Sequence, residues 1–171
     1  MIKLPEEFEQ KKIYLPQLLM SAEAAKEAFG VIKARLEANK DNNGGAKSKN
    51  SNCKIVIATV KGDVHDIGKN IVKLLLENYG FDVTDLGKDV APEDVLAAVT
   101  DLHADVCGLS ALMTTTVPAM EETIKLIHEK AKWCKVMVGG AVLTREYADK
   151  IGADAYSKDA MGSVRYVESL C

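Results

Sequence analysis

Long apolar runs are missing from this chain. None approaches the length that spans a bilayer, and the start, Met1-Ile2-Lys3-Leu4-Pro5-Glu6-Glu7, lacks the apolar stretch of a leader peptide. The expectation is a soluble, unexported protein that needs no membrane. Aromatic residues are scarce, 5 % against 47 % apolar, so the core must be built from Val, Ile, Leu and Ala, as in layered α/β proteins. Charge excess is missing too: 22 Lys and Arg against 25 Asp and Glu leave a net −3, which argues against a nucleic-acid surface. Cysteines are few and far apart, Cys53, Cys107, Cys134 and Cys171, with no C-x-x-C pair. Neither a zinc site nor a disulfide framework is expected, and a reducing cytoplasm is the expected home. There is no G-x-G-x-x-G, no Walker lysine and no nucleophile elbow, which disfavours a phosphate cradle and a clustered triad.

What is present is a strong alternation. Residues 16–38 read as one amphipathic helix, opened by Pro16, with Leu18, Ala22, Ala25, Phe29, Ile32 and Leu36 on one face. So broad an apolar band needs a cover, whether the following domain, further helices or a second copy. The polar, Gly-containing stretch 39–52 reads as a flexible linker. From Lys54 onward five strand-then-helix units follow, with strands at 54–60, 81–86, 105–109, 135–138 and 153–156. The helices fall at 67–79, 92–101, 117–131, 144–150 and 159–169, the first ended by Gly80 and the second opened by Pro92. This pattern predicts an α/β domain over 53–171: a five-stranded parallel, flavodoxin- or Rossmann-like sheet of order 2-1-3-4-5, preceded by a partial helical cap over 1–38.

That order brings the loops after strands 1, 3 and 4 to one edge of the sheet, where α/β proteins bind ligands. The first carries Asp63, Val64, His65, Asp66, Ile67 and Gly68, one imidazole between carboxylates. His65 is the candidate ligand; Asp63 or Asp66 could instead cap the next helix. The second, Gly108 to Pro118, is uncharged and holds the hydroxyls of Ser110, Thr114, Thr115 and Thr116. Thr116 could equally cap a helix ahead of Pro118. The third contains Gly139 and Gly140, which allow a ligand or a neighbouring backbone to approach closely, or simply make a tight turn.

In this order and at these intervals, the D-x-H-x-x-G of Asp63 to Gly68, the S-x-L of Ser110 to Leu112 and the Gly139-Gly140 pair resemble the cobalamin-binding domain of corrinoid-dependent methyltransferases. The stretch 14–22 is similar to the last part of the helical cap that precedes the domain in that family. Residues 111–116 and 158–166 look most like its cobalamin-dependent methionine synthase branch.

The resemblance implies cobalamin, carried as methylcobalamin, with His65 as the lower ligand of cobalt. It implies that Asp63 and Thr116 complete a hydrogen-bonded relay behind the histidine, although serine is the usual residue at the position of Thr116. It runs the cofactor's nucleotide tail beside Gly68, Ser110, Leu112, Gly139 and Gly140, counts Asp66, Ile67 and Thr114 among the cofactor-binding residues, and has Tyr14, Leu15 and Leu18 shield the methyl group if the helix 16–38 lies above the ring. It implies methyl transfer, from methyltetrahydrofolate to homocysteine if the chain is a methionine synthase module, with donor and acceptor domains or proteins and a reductive activation partner. A stand-alone corrinoid carrier for methanol, methylamine or methoxyaromatic methyl groups keeps every motif. A mutase domain lacks the preceding cap helix, and a cobalamin-responsive sensor would bring a basic DNA-reading segment that is not seen here. A metal-free receiver-like domain is the remaining rival.

Overall fold

The computed structural model describes residues 53–171 and, ahead of them, Val31 alone, which is helical and exposed. The described stretch lies within a compact unit spanning Lys47–Cys171. The rest of the expected helix 16–38, the linker 39–52 and the candidate residues Tyr14, Leu15 and Leu18 lie outside the described residues.

Five strands, β1 (Lys54–Thr59), β2 (Asp82–Asp85), β3 (Val106–Ser110), β4 (Lys135–Gly139) and β5 (Ala155–Tyr156), form one parallel sheet in the order β2-β1-β3-β4-β5. Between and after them come α1 (Ile67–Asn78), α2 (Pro92–Leu102), α3 (Val117–Lys130), α4 (Arg145–Lys150) and α5 (Ala160–Leu170). The central strands are short buried apolar runs that alternate with helices, and the expected architecture and strand order are those observed.

Alternation along the strands divides the core in two. Val56, Ala58, Cys107, Leu109, Val136 and Val138 pack with Val95 and Val99 of α2 and Met120, Ile124 and Ile127 of α3. On the opposite face Ile55, Ile57, Val106 and Met137 pack with Leu76 of α1 and Val164 and Val167 of α5. Burying one such side chain contributes about 1.5–3 kcal/mol, and a dozen of the large ones are fully inaccessible. The punctuation works as expected: Gly80 follows α1 at φ +86°, and Pro92 starts α2.

One expectation is corrected. Cys53 and Cys171 form a disulfide, their Cα atoms 5.8 Å apart across 118 residues of sequence. Linear spacing hides the pair because α5 runs back to the amino edge of the sheet and sets Cys171 beside the residue preceding β1. Cys107 and Cys134 are free, buried thiols. Burial pushes Cys134 up to about 12, with Asp105 and Asp154 adding to it, so both behave as small apolar side chains.

Candidate functional site

The loops after β1, β3 and β4 do meet. β1 leaves the sheet through a turn in which the Asp63 amide donates to the Val60 carbonyl over 3.0 Å, with Gly62 at φ +84°. This turn delivers Asp63 to a fully buried position and leaves His65 nearly half exposed.

Asp63 is the hub. Its Oδ1 accepts the His65 amide at 3.0 Å and pairs with His65 Nδ1 at 2.8 Å. Its Oδ2 accepts the amides of Leu112 at 2.7 Å and Met113 at 3.2 Å, and the Thr116 hydroxyl at 3.0 Å. Burial alone would raise the carboxyl pKa. The amides of His65 and Leu112, with the His65 ring and the Thr116 hydroxyl, outweigh it and hold Asp63 far below the usual carboxylate range. Asp63 is therefore an anion at any working pH, and Nδ1 carries the proton facing it. Nε2 has no protein partner among the described residues.

The alternative capping roles are not taken up. Asp66 occupies the N-cap position of α1 without a side-chain cap bond, and Thr116 stands at the N-cap of α3 with its hydroxyl turned to Asp63 and to the Met113 carbonyl at 2.8 Å. A glycine is required at Gly140 because the chain there has φ +144° and a Cβ would come within 1.8 Å of the Ala111 carbonyl oxygen. What approaches Gly140 closely is thus the backbone of the loop after β3. Gly139 and Gly68 are different: a Cβ at Gly139 would meet only the Ser157 carbonyl at 3.4 Å, and at Gly68 nothing within 4 Å.

Thr59, Ser110 and Gly139 are register partners across β1, β3 and β4. By alternation they continue the row of Ile57, Gly108 and Met137 on the face covered by α1 and α5, ending in small polar groups where the lower rows end in apolar ones. Thr59 is buried, and its Oγ1 is a buried side-chain atom with no hydrogen-bond partner among the described residues. Around His65 stand Val64 and Ile67, each 56 % exposed, with Leu112 and Met113. Thr114 is exposed at the start of the short 3-10 turn Thr114–Thr116. Thr59, Val64 and Met113 are additions to the residues expected from sequence. Thr59 could have been found, since it is the one hydroxyl in the apolar run of β1 and alternates with Ile55 and Ile57.

These residues fit cobalamin. No cluster of three or more metal-binding side chains occurs among the described residues. A single imidazole with its second nitrogen pinned suits a metal already held by a macrocycle, and an apolar apron suits a ring laid over it. A buried hydroxyl lacking a partner, in register with Ser110, and open space at Gly68 suit an extended polar tail.

Residues 53–165 match the B12 binding domain family. Dimethylamine corrinoid protein 1 of Methanosarcina acetivorans is 43 % identical over 167 residues, 95 % of this chain and 74 % of that protein. The solved monomethylamine corrinoid protein of Methanosarcina barkeri superposes with a TM-score of 0.80 at 30 % identity, covering 96 % of this chain and 76 % of that one. The methanol:cobalamin methyltransferase complex of the same organism contains a chain similar at TM-score 0.68 and 31 % identity, covering 97 % of this chain and 61 % of that one. None of these is a methionine synthase, so the expected assignment to that branch finds no support, whereas the stand-alone corrinoid alternative does. With His65 held through one ring nitrogen by the buried Asp63, and with its match to this family and these relatives, the chain belongs to the B12-binding family of corrinoid proteins, and cobalamin is its cofactor.

Proposed function

We propose that this chain is a methyl carrier that docks in turn with a methylamine methyltransferase and with a methyl acceptor protein, dimethylamine being the first candidate donor. The observation that carries the reading is His65: Nδ1 is fixed by Asp63 at 2.8 Å while Nε2 stays available. The methylamine assignment is supported by the dimethylamine corrinoid protein at 43 % identity.

Bound cobalamin supplies a cobalt centre that holds and releases a methyl group. The chain's residues do the rest. His65 would hold the cobalt through Nε2, since Nδ1 is engaged by Asp63. Asp63 keeps the proton on Nδ1 and so fixes the tautomer that leaves Nε2 unprotonated. Thr116 and the amides of Leu112 and Met113 hold the Asp63 carboxylate in place. Val64, Ile67, Leu112 and Met113 would pack against the ring and exclude water from it. Gly68, Thr59, Ser110 and Gly139 would receive the nucleotide tail, with Asp66 and Thr114 near it, while Gly140 holds the neighbouring loop.

In this reading residues 1–38 are the partial cap and 39–52 the linker. A reductive activation partner would serve the bound cofactor.

The test is reconstitution. Apoprotein mixed with cobalamin should give a base-off, histidine-on visible spectrum that His65→Ala abolishes. The loaded protein should then be methylated by a dimethylamine-dependent methyltransferase with dimethylamine, and not with methyltetrahydrofolate as donor. Turnover with methyltetrahydrofolate and homocysteine alone would return the chain to the methionine synthase branch.

A further inference from the structure

The turn that carries Asp63 is held from outside the site by the loop after β2. Asp89 is exposed, yet it is one of two described non-glycine residues with a left-handed backbone, at φ +57°. Both of its polar backbone and side-chain reaches go to one place. Its Oδ1 accepts the Gly62 amide over 2.7 Å, and its own amide donates to the Asp63 carbonyl over 3.0 Å. Gly62 is the left-handed corner of that turn, so its amide points away from the turn's internal hydrogen bond and needs an acceptor elsewhere. Asp89 is that acceptor.

The loop bearing Asp89 is itself tied down on both sides. Val90 forms a parallel bridge with Val60, its amide donating to the Thr59 carbonyl over 3.1 Å, while the Thr59 amide donates to the Gly87 carbonyl over 2.9 Å. At the loop's start Asp85 takes the ammonium of Lys69, a buried lysine on α1 four residues beyond His65, and the Gly87 amide at 2.9 Å. Lys73 adds a second contact to Asp85 at 3.4 Å. The histidine loop is thus gripped at both of its ends, by Asp89 before His65 and by Lys69 after it.

We propose that Asp89 is a positioning residue for the cobalt ligand: by clamping the 60–63 turn it sets the Asp63 carboxylate in its nest of donors and, through it, the direction of the His65 ring. The part concerning cobalt rests on the function proposed above; the clamp itself does not. A left-handed Asp bonded to both the Gly62 amide and the Asp63 carbonyl stores its own backbone penalty for the sake of that geometry. Removing the carboxylate frees the Gly62 corner, the most permissive point of the turn.

The test uses the full chain, with Asp89→Gly and Asp89→Asn. Glycine keeps the left-handed backbone and deletes the acceptor; asparagine keeps both the backbone tolerance and a carbonyl acceptor. In apoprotein, amide exchange at Gly62 should be about tenfold faster in Asp89→Gly and close to wild type in Asp89→Asn, as expected for loss of one charge-assisted hydrogen bond. With hydroxocobalamin at saturation, Asp89→Gly should show an increased histidine-off fraction of the spectrum and about tenfold weaker binding. Loss of overall stability alone would not change the spectrum of saturated protein. Wild-type exchange and spectrum in Asp89→Gly would overturn the proposal, as would identical behaviour of the two variants. If Asp89→Gly does not fold, wild-type apoprotein still decides: a Gly62 amide that exchanges as freely as an open chain overturns the clamp. If wild type shows no histidine-on spectrum, the carrier reading fails by itself, and the exchange arm alone supports or overturns the clamp.

Discussion

The amide of Leu112 donates to Asp63 Oδ2 over 2.7 Å, joining the loop after β3 to the loop after β1 across 49 residues of sequence. The bond places the S-x-L segment at the site through its backbone, while the Leu112 side chain remains 40 % exposed beside His65. One residue thereby both orients the histidine's partner and furnishes part of the apolar apron.

Asp63→Asn should be costly out of proportion to its size. If the new amide oxygen faces His65 Nδ1, its NH2 group confronts the donors of Leu112, Met113 and Thr116; flipped, it confronts Nδ1–H instead. Either way buried donors are left unpaired, at about 1–3 kcal/mol. Urea unfolding should register the loss in apoprotein, and reconstituted Asp63→Asn should display less of the histidine-on spectrum than wild type. Unchanged values in both measurements would remove Asp63 from its central position.

Acid should weaken the fold in a defined direction. Asp63, Asp85 and Asp154 all have pKa values lowered in the folded protein. Burial opposes each of these shifts. Hydrogen bonds and nearby positive charge outweigh it, from the His65 amide for Asp63, from Lys69 for Asp85 and from Lys135 for Asp154. The unfolded chain therefore binds protons first. Stability is at full strength above about pH 4, the ordinary carboxylate range, and is lost as pH falls through the lowered native values. Denaturant midpoints measured from pH 7 down to 3 should hold level and then drop, and Asp63→Asn should drop less steeply because one of the three groups no longer titrates.

Thr59→Val should separate folding from binding. The hydroxyl is buried without a partner, so replacing it with a methyl group should leave apoprotein unchanged or about 1 kcal/mol more stable. Cobalamin affinity should move the other way, falling about tenfold if Oγ1 hydrogen-bonds the tail. Thermal midpoints and titrations followed by visible absorbance supply the two readings. Equal affinity in the variant would take Thr59 out of the groove.

The glycines should divide in the same manner. Gly140→Ala forces a Cβ against the Ala111 carbonyl and should cost about 2–4 kcal/mol through strain and displaced backbone. Gly68→Ala meets nothing within 4 Å and lies in the first turn of α1, so apoprotein should be as stable or slightly more so. A methyl group at Gly68 would protrude where the tail is expected, and its effect should appear only on titration with cobalamin.

Much of this was legible in the sequence because the signals are local and agree with one another. β-branched runs, helical spacing, Gly80 and Pro92 give elements whose bounds differ from those observed by a residue or two, most at β5, which pairs only through Ala155 and Tyr156. The strand order followed from the five-unit alternation, and with it the meeting of three distant loops. Asp63, His65 and Thr116 were legible as a motif. Thr59 was not singled out because its significance depends on register: only beside Ser110 and Gly139 does a strand-end threonine become the rim of a groove. Asp89 and Lys69 escaped because nothing in a loop aspartate or a helix lysine tells where its side chain goes. The Cys53 to Cys171 pair escaped because spacing along the chain carries no information about the return path of α5.

That return path also has a practical outcome. With Cys171 fastened to Cys53, the residue that precedes β1, residue 171 lies at the edge of the sheet where the strands begin, whereas the His65 loop leaves the edge where they end. A tether, dye or surface attached there leaves the His65 edge of the sheet clear, so cobalamin uptake can be followed on an immobilised chain.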